Sequence, residues 1–135
     1  MTNYLRCTRA TTAVEFAMLL PLFLAMLFGI VAFGSYLTVV HGVQQLAAEA
    51  ARSSIAGMSE AERSSLASGY VTANAATYPL IDASQITVNA ATSGGNVFVV
   101  TVSYNAAGMF IYALPTVIAP PTSIVRSAAV PYGGF

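Results

Sequence analysis

The chain has 135 residues, enough for one domain or for one small domain with an appendage. It is 56% hydrophobic and only 7% charged, whereas about 25% of the residues of an ordinary soluble domain are charged. The formal net charge is zero, lysine is absent and no basic stripe with interleaved aromatic residues occurs, so no nucleic-acid partner is expected. Cys7 is the only cysteine, so no disulfide can form within the chain.

Residues 16–40 form an almost wholly apolar run of 25 residues. As an α-helix this run would be about 37 Å long, and the hydrocarbon core of a bilayer is about 30 Å thick. A cleaved secretory signal is the main alternative, but its apolar region has only about 7–15 residues and ends at a small-residue cleavage site. This run is longer and lacks a good A-x-A site at its end. It therefore predicts a transmembrane helix that is retained.

The charges that flank the run predict its orientation. Arg6 and Arg9 precede it, and the next cation in the chain is Arg52. By the positive-inside tendency, the N-terminus stays in the cytoplasm and everything after about residue 41 is exported. We therefore expect a single-pass protein of the cytoplasmic (inner) membrane, in contact with membrane lipid, with its C-terminus outside.

Glu15, at the start of the apolar run, has two interpretations. It can simply lie at headgroup level, where the positive end of the helix dipole favours a carboxylate. Alternatively, Arg9-Ala10-Thr11-Thr12-Ala13-Val14-Glu15-Phe16 resembles a type IV prepilin processing site. In that family a membrane-embedded aspartyl prepilin peptidase cuts after the small residue. The resemblance implies a cut between Ala10 and Thr11, which would make Glu15 the fifth mature residue.

The segments 13–22 (AVEFAMLLPL) and 28–34 (FGIVAFG) narrow this resemblance to the TadE-like family. Glu15, Pro21, Gly29 and Gly34 fall in the register of that family. Its members are minor pseudopilins of the tight-adherence (Tad or Flp, type IVc) pilus, which mediates cell adhesion. The resemblance implies that the partners are other pilins and pseudopilins, the inner-membrane pilus assembly platform and the prepilin peptidase. It also implies that the subunit can enter an extracellular pilus. Because the major pilins of this system are very short chains, an additional domain favours a minor role.

The resemblance leads to specific expectations for Glu15 and Pro21. Cleavage would place a new α-ammonium on Thr11, about one helical turn from Glu15. An unpaired charge at the bilayer centre costs about 2.5–3.5 kcal/mol on insertion scales. We therefore hypothesise that Glu15 neutralises this amine, in its own chain or in a neighbouring chain, and that this pairing sets the axial register of assembly.

Pro21 lacks an N–H and leaves the carbonyl of Ala17 without its helical hydrogen bond, which predicts a helix kink. The alternative is that the helix melts locally at Pro21.

The predicted organisation is a cytoplasmic leader at 1–10, a long helix at 11–57 and an exported domain at 58–135. Beyond the membrane the helix continues with a stripe of mostly small apolar residues, and Gly57 is its predicted C-cap. The stripe consists of Val43, Leu46, Ala47, Ala50, Ala51 and Met58. Ser59 and Glu62 form a capping box that opens a second helix at roughly 60–76. The side of this helix predicted to be apolar carries Leu66, Tyr70, Ala73 and Thr77.

Three strands follow, which makes the fold class α+β. Residues 85–91 and 97–105 alternate in polarity on either side of Ser93-Gly94-Gly95-Asn96, which predicts an antiparallel hairpin. The inward positions are Ile86, Val88 and Ala90 on the first strand and Phe98, Val100, Val102 and Tyr104 on the second. Residues 123–132 predict the third strand. The apolar connection 107–115 is either core beneath the sheet or an exposed patch that contacts the membrane surface or a pilus partner.

Catalytic patterns are absent from the sequence. His41 has no HxxxH or HxxE partner, no GxSxG motif occurs, and no second His could act as a base. We therefore expect no enzyme, no metal, no cofactor and no small-molecule substrate. The leading interpretation is a structural minor pilin, and the alternative is an unprocessed signal-anchored envelope protein with a periplasmic protein-binding domain. The N-terminus of the mature chain, Thr11 or Met1, distinguishes the two.

Overall fold

The computed structural model describes residues 5–115 and 119–133, with side chains from Thr11 onward. The helices are α1 (Leu5–Ser54) and α2 (Glu60–Asn74), and the strands are β1 (Ile86–Ser93), β2 (Val97–Asn105) and β3 (Ser123–Pro131). Three 3₁₀ turns lie at Ala75–Thr77, Ala83–Gln85 and Phe110–Ala113. The α+β class and the three-stranded antiparallel sheet predicted from the sequence are therefore confirmed.

The chain divides into two compact units, Met1–Gly34 and Ser35–Phe135. The first contains the greater part of α1. Its side chains from Thr11 to Phe28 are all exposed, and Pro21 lies inside the helix. The second unit contains the last turns of α1, together with α2 and the sheet, and it holds the hydrophobic core.

The core of the second unit lies between α1 and one face of the sheet. Leu46, Ala47, Ala50 and Ala51 are completely buried, as the predicted stripe requires. The stripe belongs to the same buried cluster as Phe98, Val100 and Val102 of β2. The stripe does not extend to Met58, which is 90% exposed. This part of the prediction is wrong because α1 ends at Ser54 and the helical spacing does not continue beyond it.

Gly57 also differs from its predicted role as a C-cap. It lies three residues beyond the end of α1, and the glycines with positive φ in the described part of the chain are Gly95 and Gly133. Its N–H donates to the Ser54 carbonyl, with an N–O distance of 3.0 Å, and its Cα lies against the backbone of Arg63. Gly57 is therefore required by close packing against α2 and not by a left-handed conformation.

The capping box of α2 is confirmed. The Glu62 amide donates to Ser59 Oγ at 3.2 Å, and the Ser59 amide donates to Glu62 Oε2 at 3.3 Å. The apolar side predicted for α2 is only partly the buried one: Tyr70 packs against the core. Ala67 and Val71 are buried, whereas Leu66 is 41% exposed. The face that contacts the sheet is the one with the smaller side chains, which allows α2 to lie close to β1.

The sheet has the order β1-β2-β3 and is antiparallel throughout. In register, Val88 lies opposite Val102, and Val100 lies opposite Ala128. The alternation predicted from the sequence is confirmed, because the inward side chains of β2 are buried and those of β1 pack against the core. The buried side chains of β2 are Phe98, Val100, Val102 and Tyr104. The hairpin turn uses Gly95 and Asn96, both with positive φ, as a glycine-rich turn predicts.

Candidate functional site

The most extensive unusual surface is the apolar side-chain array of α1. Among the described residues, α1 is the one helix that is long and apolar enough to cross a membrane, by length and composition. A core helix of a soluble protein would have these side chains covered, but here they are open from Val14 to Phe28. Contiguous apolar surface of this size marks a membrane or protein contact. The exposed large residues at the centre of the run are Leu19, Leu22, Phe23, Met26, Leu27 and Ile30.

The predicted processing residues lie in the first turns of α1. The backbone of α1 includes Ala10, but the side chains of residues 1–10, and hence those of Arg6 and Arg9, lie outside what the structure describes. Thr11, Glu15 and Phe16 are exposed. Thr11 and Glu15 are four residues apart in a continuous helix, which places them on one face, one turn apart.

A second feature, which the sequence did not predict, joins α1 to the connection between β2 and β3. The hydroxyls of Tyr36 and Tyr112 both donate to the carbonyl oxygen of Pro121, at 3.2 Å and 2.7 Å. A carbonyl oxygen has two lone pairs, so it can accept both hydrogen bonds. Burial raises the pKa of Tyr112, and the nearby Tyr36 adds to this effect. The two tyrosines thus fix the Pro121 loop beside the first turns of the Ser35–Phe135 unit.

The apolar connection 107–115 is partly buried in the core and partly exposed. Ile111 is completely buried, and Met109 and Tyr112 pack against the hydrophobic core. Phe110, in the same 3₁₀ turn, is 53% exposed. The segment is therefore anchored in the core by some side chains, while others remain open at the surface.

The glutamate carboxylates of the second unit each form an ion pair or a hydrogen bond with a nearby residue. Glu49 forms an ion pair with Arg52, with Oε1 and Nη1 2.7 Å apart. Glu60 accepts a hydrogen bond from the Thr92 amide at 3.0 Å, and Glu62 belongs to the capping box. Among the side chains that the structure describes, in residues 11–115 and 119–133, no three of His, Cys, Asp or Glu come together in a way that could hold a metal ion.

Arg63 of α2 contacts Tyr132, the residue that directly follows β3. Its guanidinium carbon lies 3.9 Å from the centre of the Tyr132 ring, a cation–π contact. Its Nε is buried and has no hydrogen-bond partner among the described residues. The Tyr132 hydroxyl donates to Thr92 Oγ1 at 3.2 Å, so the same ring also contacts β1. Residues 63 and 132 are far apart in the sequence, and no local pattern pairs them.

Comparison with known proteins found a similarity for the N-terminal helix. Residues 10–52 match the family model described as TadE-like protein. No curated protein and no solved structure matches the chain. The matched segment includes Glu15 and Pro21, begins at Ala10 and ends two residues before the end of α1. The resemblance recognised in the sequence is thereby confirmed: residues 10–52 are similar to the TadE-like family.

Proposed function

We propose that this chain is a structural minor pilin, or pseudopilin, that takes part in assembling a Tad-type adhesive pilus. The observation that carries the proposal is the match of residues 10–52 to the TadE-like family, which indicates a function related to the Tad pilus. The exposed apolar surface of α1 supports it. A helix of this kind must be covered by lipid before assembly and by neighbouring helices in a fibre, because its side chains are too apolar to remain in water.

The proposed life cycle begins in the inner membrane, with the N-terminus in the cytoplasm and the Ser35–Phe135 unit exported. The prepilin peptidase removes residues 1–10, and the assembly platform then transfers the helix from lipid into contact with other pilins. The mature chain begins with the amine of Thr11, one turn from Glu15. Pairing of this amine with a carboxylate removes the cost of an unpaired charge in an apolar environment and gives the neighbouring helices a common register.

Cys7 offers a direct test of processing, because it is the only cysteine in the chain and lies in the proposed leader. Membranes from cells with and without the prepilin peptidase would be denatured and treated with a maleimide reagent, and the intact mass would be measured. We expect a mature chain beginning at Thr11 that carries no label, and a labelled full-length chain when the peptidase is absent. A labelled chain with an intact Met1 in both strains would instead support the alternative, an unprocessed signal-anchored envelope protein.

Glu15 provides the test of assembly. The Glu15→Ala variant should accumulate in the membrane but fail to enter sheared pili, because the Thr11 amine loses its partner. Glu49→Ala is a matched control: it removes a carboxylate from the same helix, but one that is held in the exported unit by Arg52. Glu49→Ala should be incorporated normally. Normal incorporation of Glu15→Ala would contradict the proposed role of this carboxylate.

A further inference from the structure

The loop anchored by Tyr36 and Tyr112 lies at the end of the Ser35–Phe135 unit from which the apolar run continues. Tyr36 belongs to the run 16–40, and its hydroxyl holds the carbonyl of Pro121. The Tyr112 hydroxyl, which lies earlier in the connection between β2 and β3, donates to the same carbonyl. If the run spans a bilayer, covalent continuity places Tyr36 near the outer boundary of that bilayer. The Pro121 loop and the turn Phe110–Ala113 must then lie close to the same boundary.

The composition of this region is suited to that boundary. Residues 105–122 contain no Asp, Glu, Lys, Arg or His. Phe110 is 53% exposed, and Leu37 on α1 is exposed to a similar extent. Aromatic side chains with a polar end are enriched at the membrane–water interface, where the ring is covered by lipid and the polar end remains hydrated. Tyr36 and Tyr112 provide two such side chains, and the exposed Phe110 lies in the same 3₁₀ turn as Tyr112.

We propose that Phe110, together with Tyr36, Leu37 and Tyr112, docks onto the phospholipid headgroup interface of the membrane that α1 crosses. The occupant is lipid and not another protein, because the surface is continuous along the chain with the apolar run and lacks charged groups that would pair with a protein partner. The inference rests on the membrane span of the proposed function. It adds that the exported unit is held against the bilayer surface by its own loop, in addition to its covalent link to the helix.

The absence of tryptophan from the chain makes the test direct, since any single Trp is the only indole present. Three full-length variants, Phe110→Trp, Ile55→Trp and Phe23→Trp, would be reconstituted into phosphatidylcholine vesicles. The vesicles would carry bromine atoms either near the headgroups or near the bilayer centre, and Trp emission would be recorded. Ile55 is the matched control: its exposure of 54% is close to the 53% of Phe110. It directly follows the end of α1, about 28 Å from Tyr36 in the direction of the helix axis.

We expect the Phe110→Trp emission to be shifted to the blue and quenched more by shallow than by deep bromines. The Ile55→Trp emission should be neither shifted nor quenched. The Phe23→Trp emission should be quenched by deep bromines, and this result tests whether the apolar run spans the bilayer. Equal emission from Phe110→Trp and Ile55→Trp, with Phe23→Trp quenched, would overturn the docking proposal and leave the span intact. Absence of quenching for Phe23→Trp would overturn both.

A protein contact gives a different signature. In that case the Phe110→Trp emission would be blue-shifted but insensitive to bromine, and the shift would grow with the protein-to-lipid ratio. This result would also overturn the proposal. As a control, amide hydrogen exchange of the sheet would be compared between each variant and the unmodified chain, to check that the Ser35–Phe135 unit remains folded.

Discussion

Gly57 and Arg63 are in such close contact that no side chain fits between them. A Cβ atom built on Gly57 would lie 2.7 Å from the backbone nitrogen of Arg63 and 2.8 Å from its Cγ. That nitrogen is itself engaged in the first turn of α2, where it donates to the Ser59 carbonyl at 3.0 Å. The link between the two helices is therefore set by a backbone contact that tolerates glycine alone.

Gly57→Ala should destabilise the Ser35–Phe135 unit by about 1–3 kcal/mol, because the new methyl group forces the backbone of α2 to move. Gly69→Ala is the matched control. Nothing lies within 4 Å of a Cβ at this position in the middle of α2, so this change should stabilise the unit by about 0.5–1 kcal/mol through helix propensity. Urea unfolding of the detergent-solubilised chain measures both. A neutral Gly57→Ala would show that the contact relaxes freely.

The capping box makes a second prediction. Ser59→Ala removes the oxygen that accepts from the Glu62 amide, so it should cost about 1 kcal/mol, within a range of about 0.5–2 kcal/mol. Faster hydrogen exchange should appear first in the opening turn of α2. Ser65→Ala, an exposed change within the same helix, is the control and should be neutral or slightly stabilising. Equal effects of the two substitutions would rule out a specific contribution from the cap.

The two faces of β2 make a third prediction, because adjacent valines point in opposite directions. Val100 is completely buried, whereas Val99 lies on the outer face and is only partly covered. Val100→Ala removes two buried methyl groups and leaves a cavity, so it should cost about 2–3 kcal/mol. Val99→Ala should cost well under half as much. A reversed order in urea unfolding would mean that the register of the sheet differs by one residue.

Asp82 makes the pH prediction. Hydrogen bonds from the Ser84 hydroxyl and the Ser84 amide, at 2.7 Å and 2.9 Å, lower the pKa of the Asp82 carboxyl below its ordinary value of 3.8. A lowered pKa in the folded state means that these bonds contribute stability above that ordinary value. The contribution is lost as the pH falls through the lowered pKa. The carboxyl resonance, followed by NMR, should titrate below the usual range.

Asp82→Asn is the control for this pH effect. The amide oxygen can still accept both bonds, so the turn should persist, but the contribution of residue 82 to the acid dependence of stability should vanish. A normal titration of the Asp82 carboxyl would show that the Ser84 bonds are not maintained in solution.

Local sequence signals located nearly every element of the Ser35–Phe135 unit. The capping box placed the start of α2 at Glu60, and the alternation of β2 placed Phe98 and Val100 inward, as the structure confirms. These features depend on residues within one turn or one strand, so the nearby sequence carries the information. The face of α2 was different: the predicted apolar side includes Leu66, but the neighbouring Ala67 is the buried residue. Leucine is more hydrophobic than alanine, but the face of α2 that packs against the sheet is the one with the smaller side chains, which brings α2 closer to β1.

The apolar span, the positions of Glu15 and Pro21 and the α+β order of elements follow from the sequence, because each depends on neighbouring residues. The contacts of Arg63 with Gly57 and with the Tyr132 ring became apparent in the folded structure, as did the carbonyl shared by Tyr36 and Tyr112. These contacts join residues brought together by the packing of helices and strands. Such contacts depend on distances between residues that are far apart in the sequence, and the hydrophobic periodicity of a single helix or strand does not predict these distances.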